Sequence, residues 1–147
     1  MAERAPYTVQ PLSEVRLSWL VRFQLRRIRK RHGTGLLMHA LIRTPVRSIS
    51  ANKPVVSVSE GRVSLCGSSS ASKFPKWVPL APGAHDLSFH ASRSRSRSSF
   101  DKRFTLREGD VLVAVCEPIQ QRQWIGYRHP PSADQWYLGI IAPDNSV

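Results

Sequence analysis

A regular alternation of apolar and polar side chains near the start of the chain constrains the fold more than any other feature of the sequence. Apolar residues occupy every second position over residues 15–26, and only Leu20 breaks the pattern. A period of two is typical of a strand with one buried face, whereas the same residues would scatter around a helix. The alternation therefore predicts a strand over residues 15–26 with arginines on its outer face. Its inner-face residues would be Val15, Leu17, Trp19, Val21, Phe23 and Leu25.

Short segments of strand character recur along the chain, separated by turns that contain glycine or proline. Residues 86–90 alternate, residues 111–116 form a near-continuous apolar run typical of a central buried strand, and residues 136–141 form a last strand. Residues 36–42 suit a helix by composition and a return strand by topology, and we favour the strand. The chain is therefore predicted to be all-β, a small β-sandwich of about seven short strands with a basic N-terminal hairpin.

The length and composition predict a single domain. A chain of 147 residues with 41% hydrophobic residues is large enough for one packed core. Residues 1–13 carry two prolines and no apolar period, so we expect a flexible arm there, followed by the sandwich over residues 14–141 and a tail over residues 142–147. The Ser-rich residues 67–76 and the Arg/Ser repeat at residues 92–99 are predicted to be mobile loops.

Positive charge is the strongest global signal. The chain has 22 Lys and Arg against 10 Asp and Glu, a net charge of +12. Such a surface attracts anions, although the charge could also serve solubility alone or protect a strand edge. Three basic groups are candidate contacts for an anionic partner. They are Arg26, Arg27, Arg29, Lys30 and Arg31; Arg93, Arg95 and Arg97; and the mixture Arg122, Trp124 and Arg128.

Candidate chemistry is sparse. The five histidines show no metal-ligand spacing, and His39 lies in an apolar run where a buried structural role is more common. Cys66 and Cys116 end apolar segments without a neighbouring base, so we expect buried small hydrophobes, and a disulfide between them stays open. No phosphate-binding, dinucleotide-binding or hydrolase motif occurs. We therefore predict no catalytic residues, no metal and no cofactor, and a protein that is not an enzyme.

Three segments together resemble the PEGA-type module, a small β-sandwich of bacterial surface and regulatory proteins. They are VRSISANKPV at residues 46–55, PLAPGAHDLSF at residues 79–89 and FTLREGDVLVAV at residues 104–115. The usual Asp-Gly turn of that module is Asn52-Lys53 here, and a Ser-rich segment interrupts the middle. The resemblance, over residues 46–117, implies a sandwich fold and an interaction role rather than catalysis, and it transfers no functional residue.

These observations favour a non-catalytic interaction or assembly module of the bacterial cytoplasm. Its Arg-rich surfaces would dock an acidic protein, and strand edges would allow a homo-oligomer. The alternative is a basic protein that binds nucleic acid, associated with RNA or the ribosome. The N-terminal residues have no apolar signal region, and no apolar stretch is long enough for a transmembrane segment.

Overall fold

The fold is built on two long antiparallel strands and on a second sheet whose central strands are buried. The computed structural model describes residues 3–4, 6–41, 55–67, 75–93, 96–118 and 133–143. Within those residues it contains ten strands, one α-helix (α1, Trp19–Lys30) and a 3-10 turn (Leu12–Glu14). The strands are β1 (Glu3–Arg4), β2 (Tyr7–Pro11), β3 (Gly35–Ala40), β4 (Val55–Glu60), β5 (Val63–Gly67), β6 (Lys76–Pro79), β7 (Gly83–Arg93), β8 (Ser96–Leu106), β9 (Val111–Glu117) and β10 (Asp134–Ile141).

The strands form two five-stranded sheets, which confirms the all-β, sandwich-like class. The first sheet has the order β1-β8-β7-β4-β5 and is dominated by the antiparallel β7–β8 hairpin. The second has the order β2-β10-β9-β3-β6. It is mixed, because β3 pairs with β9 and β2 pairs with β10 in parallel register. As predicted from its apolar run, β9 is a central, buried strand.

The main core lies between the two sheets. Aromatic rings fill its centre: Trp136 packs edge-on to Phe89 with ring centroids 5.3 Å apart, and Phe100 stacks on Phe89 at 5.0 Å. Ser98 is buried beside them, and its hydroxyl donates a hydrogen bond to the Asp134 carboxylate. This contact satisfies two polar groups that would otherwise be costly inside the protein.

The second sheet is covered on both faces, so the molecule has three layers. Leu112, Ala114 and Cys116 of β9 point into the core between the sheets. Val111, Val113 and Val115 point to the other face, where they pack against α1. All six residues of β3 are buried for the same reason. A continuous apolar strand is what two covered faces require, since neither set of alternate side chains meets water.

The prediction of a strand over residues 15–26 was wrong, and with it the basic N-terminal hairpin. Residues 19–30 form α1, and Ser18 caps it by accepting a hydrogen bond from the Val21 amide. Only Val21 and Leu25 of the alternating set are buried, together with Ile28. These three residues are spaced four and three apart, which is the period of a helix.

Two further predictions are corrected by strand pairing. The expected arm over residues 1–13 contains β2, which pairs with β10, and Tyr7 of β2 stacks on Phe100 at 5.1 Å. Pro11 is tolerated at the end of β2 because β2 is an edge strand that needs few ladder donors. The expected mobile loop at residues 92–99 lies largely within β7 and β8, with Ser98 turned inward and Arg97 outward.

The favoured strand at residues 36–42 is confirmed for residues 36–40, because β3 covers Gly35–Ala40. Residues 46–54 of the PEGA-like segment at residues 46–55 lie outside the described residues, as do most of the Ser-rich segment at residues 67–76 and most of the tail.

Candidate interaction site on the helix

Helix α1 is held firmly at both ends. Its N-terminus has the Ser18 cap, and the Arg22 guanidinium donates to the Leu17 carbonyl oxygen at 3.2 Å. At the C-terminus the Gly33 amide donates to the Ile28 carbonyl, and the His32 amide donates to that of Arg29, each at 3.0 Å. This is the Schellman pattern, with His32 in the left-handed conformation at a φ of 53°.

The inner face of α1 anchors it to the sheet. Val21 and Leu25 are almost fully buried, and Ile28 is 6% exposed. They share an apolar layer with Leu37 of β3 and the outward valines of β9. Burial of each such side chain contributes about 2 kcal/mol. The backbone of α1 is therefore a fixed support for the side chains on its other face.

The outer face of α1 carries an unusual mixture of exposed aromatic and basic side chains. Trp19 is 72% exposed and Phe23 is 50% exposed. At about 100° per residue, these rings and three cations fall within a stripe roughly 100° wide, opposite the buried residues. The stripe, here called the outer stripe, consists of Trp19, Phe23, Arg26, Arg27 and Lys30.

The cations of α1 divide into those with a structural hydrogen bond and those with no carboxylate partner among the described residues. Arg22 is bonded at the helix start, and the Arg29 guanidinium donates to the Ala142 carbonyl at 2.9 Å, which ties the helix to the end of β10. Arg27 lies over the Phe23 ring, with its guanidinium carbon 6.0 Å from the ring centroid. Within the described residues, the cations of the outer stripe and Arg31 have no carboxylate partner.

Part of this charge has a structural explanation. Cations in the last turn of a helix are favoured by its dipole, and Arg27, Arg29 and Lys30 lie there. The dipole does not explain Arg26 equally well, because its effect falls off beyond one turn. It also does not explain the two exposed rings beside these cations.

Two cavities flank Arg27 on the surface of α1. One, of about 420 Å³, is lined among the described residues by Phe23, Arg26, Arg27, Arg29 and Lys30. The other, of about 130 Å³, lies between α1 and the edge strand β6. Its lining residues are Gln24, Arg27, Ile28, Arg31, Gly33 and Trp77. Each cavity therefore joins an aromatic ring to at least two cations.

The first predicted basic cluster is thus brought together, although by a helix rather than a hairpin tip. Arg26, Arg27, Lys30 and Arg31 are exposed, and Arg29 is partly buried. A sequence signal for this helix did exist, namely a serine cap followed by apolar residues at helical spacing. The exposed aromatic residues hid it by supplying a false alternation.

The other predicted contacts do not join this site. Arg97 is exposed on the outer face of the first sheet, on the opposite side of the sandwich from α1, and Arg93 lies at the end of β7. On that same outer face, Arg103 is bonded to Asp86 at 2.9 Å, and this contact lowers the pKa of Asp86. Arg95, Arg122, Trp124 and Arg128 lie outside the described residues.

The histidines and cysteines are dispersed. Among the described residues, no group of three or more His, Cys, Asp or Glu side chains could hold a metal ion. His39 is buried, as expected for a structural histidine. Neither cysteine forms a disulfide. Burial raises the pKa of the Cys66 thiol to about 11, and its sulfur lies 3.6 Å from that of Met38, so this thiol is protonated at neutral pH.

Comparison of the chain with protein-family models, with curated proteins and with solved structures found no match. The PEGA-like resemblance accordingly stays a prediction. In the described part of the chain, α1 is too short and too polar to cross a membrane. The geometry itself defines the class of the molecule: a β-sandwich with one amphipathic helix that covers the second sheet and displays a basic, aromatic outer stripe.

Proposed function

We propose that this protein is a non-catalytic interaction module that docks an acidic partner through the outer stripe of α1. The observation that carries the proposal is the combination, on one fixed helix face, of exposed rings with cations that have no carboxylate partner among the described residues. Unpaired guanidinium groups suit carboxylate or phosphate, because their planar fork makes two parallel hydrogen bonds.

The support behind the stripe favours a docking role. Because α1 is capped at both ends and buried along its inner face, its backbone loses little freedom when a partner binds. Exposed aromatic rings among cations add contact area at the centre of such an interface. The proposal includes a cytoplasmic location, which accords with two thiols that form no disulfide.

A matched pair of charge reversals tests the proposal. The test variant is Arg26→Glu with Lys30→Glu, and the control is Arg62→Glu with Arg97→Glu. All four residues are exposed, and both variants lower the net charge by the same amount. Binding to poly-glutamate would be measured by titration at several salt concentrations.

We expect the α1 variant to bind poly-glutamate at least about tenfold more weakly, and the control to change little. The affinity of the wild-type protein should fall steeply with salt. Equal losses in the two variants would mean that only the net charge matters, and the proposed docking face would be rejected. Circular dichroism of both variants would establish that the fold is retained.

A further inference from the structure

The two cavities on α1 repeat one arrangement, an aromatic ring beside cations. Phe23 and three exposed cations line the larger cavity, while the Trp77 ring and two arginines line the smaller. Arg27 belongs to both, so the arrangement is continuous across the helix. Trp19 lies one turn before Phe23 and extends the aromatic surface toward the N-terminus of α1.

The close approach of Trp77 to α1 depends on Gly33, which lies just beyond the C-terminal end of the helix. A Cβ atom at Gly33 would lie 3.0 Å from the Trp77 ring and 2.9 Å from the Ile28 side chain. Glycine therefore permits the indole to approach the end of α1 closely. The resulting cavity of about 130 Å³ is below the roughly 300–1,000 Å³ typical of small-molecule sites, so it fits one chemical group of a larger ligand.

The alternation of rings and cations identifies the kind of acidic partner. A helix of an acidic protein would need a continuous apolar stripe, with anchors at successive turns. Here Arg27 separates the Phe23 ring from the Trp77 ring. A single-stranded nucleic acid has the complementary form, since flat bases alternate with anionic phosphates along its length.

We infer that the outer stripe and the Trp77 cavity bind single-stranded nucleic acid. Bases stack on Trp19, Phe23 and the exposed part of Trp77. Phosphates contact Arg26, Arg27, Lys30 and Arg31. This inference rests on the proposed function, because it names the acidic partner of the same face. Binding would tolerate many sequences, since every base presents a flat ring for stacking.

The test removes the rings and keeps the charges. The test variant is Trp19→Ala with Phe23→Ala, and its control is Val55→Ala with Val63→Ala, which replaces two exposed apolar residues of the first sheet. A third variant, Trp19→Phe, keeps an aromatic ring. Binding of a fluorescently labelled oligothymidylate, about twelve nucleotides long, is measured by fluorescence anisotropy, with poly-glutamate and a DNA duplex as competitors.

The ring-deleted variant should bind oligothymidylate at least about tenfold more weakly and poly-glutamate with little change. Trp19→Phe should bind oligothymidylate nearly as tightly as the wild type, because it keeps a ring for stacking. The control variant should also bind like the wild type. The single strand should compete better than the duplex.

The alternatives give different results. If ring deletion changes oligothymidylate and poly-glutamate binding alike, or if the duplex competes better, the nucleic-acid inference is overturned while anion docking stands. If neither anionic polymer binds the wild-type protein, the proposed function itself fails, and the inference fails with it.

Discussion

Leu25→Ala and Phe23→Ala should destabilise this protein by very different amounts. The two residues are two positions apart, so a strand would turn both side chains to the same face. In α1 they lie on opposite sides: Leu25 is 0% exposed and Phe23 is 50% exposed. The comparison therefore tests the central structural finding, the helix over residues 19–30, through its energetic consequences.

The magnitudes follow from what each side chain contacts. Leu25 packs against the valines of β9, and its truncation leaves a cavity that the rigid sheet closes poorly, at a cost of about 3 kcal/mol. Phe23 leaves no cavity, because half of its surface meets water already. Its replacement loses partial burial and the contact with Arg27 but gains helix propensity, for a net loss of about 1 kcal/mol.

Urea denaturation followed by far-ultraviolet circular dichroism measures both losses, provided that the slope of the transition is unchanged. If residues 15–26 formed a strand, Phe23 would be as buried as Leu25, and Phe23→Ala would cost at least as much. A loss for Phe23→Ala equal to or greater than that for Leu25→Ala would refute the helix.

Three further predictions follow from particular sites. His32→Gly should stabilise the protein by about 1 kcal/mol in the same urea assay, because glycine adopts the left-handed conformation at the end of α1 without the steric cost that histidine bears; a loss of stability would count against the assigned backbone. Gly35→Ala should cost about 2–3 kcal/mol, since its Cβ would lie 2.2 Å from the Val78 carbonyl oxygen and 2.9 Å from the Leu80 nitrogen, both of them backbone atoms. Hydrogen bonds to the Ala81 carbonyl and then to Glu60 raise the pKa of His85 above its ordinary value of 6.5. The protonated His85 side chain therefore stabilises the fold fully below pH 6.5, and this stabilisation disappears as the pH rises through the raised pKa. The stability difference between wild type and His85→Gln should therefore shrink over that window, and a constant difference would contradict the assignment.

The sequence predicts a strand correctly where burial alone determines which of its side chains are apolar. The valine-rich run became β9, and the alternating residues near Leu87 and Phe89 became β7. In both strands the apolar side chains are the buried ones. The Arg/Ser repeat was misjudged because its composition suggested a solvated loop. Serine nevertheless fits an inner position when it has a partner, as Ser98 does with Asp134.

The helix was missed because its sequence serves two purposes. Val21, Leu25 and Ile28 satisfy the core, whereas Trp19 and Phe23 do not. The exposed rings fall between the buried positions and complete an alternation that the fold does not use. With polar residues at positions 19 and 23, the alternation would have been broken at two inner positions, and the helical spacing of Val21, Leu25 and Ile28 would have been easier to recognise.

The buried strands contained the information needed to correct this error. A two-layer sandwich turns one face of each sheet to water, so six consecutive buried residues in β9 require a third layer over the second sheet. Among the described residues, α1 supplies that layer, and it needs only its inner face to do so. Stability therefore accounts fully for Val21, Leu25 and Ile28, whereas Trp19 and Phe23 contribute little to it and stay exposed, at a cost in solubility. Trp19 and Phe23, which made the segment resemble a strand, are therefore best explained by contact with a binding partner. Their replacement should weaken binding far more than it destabilises the fold.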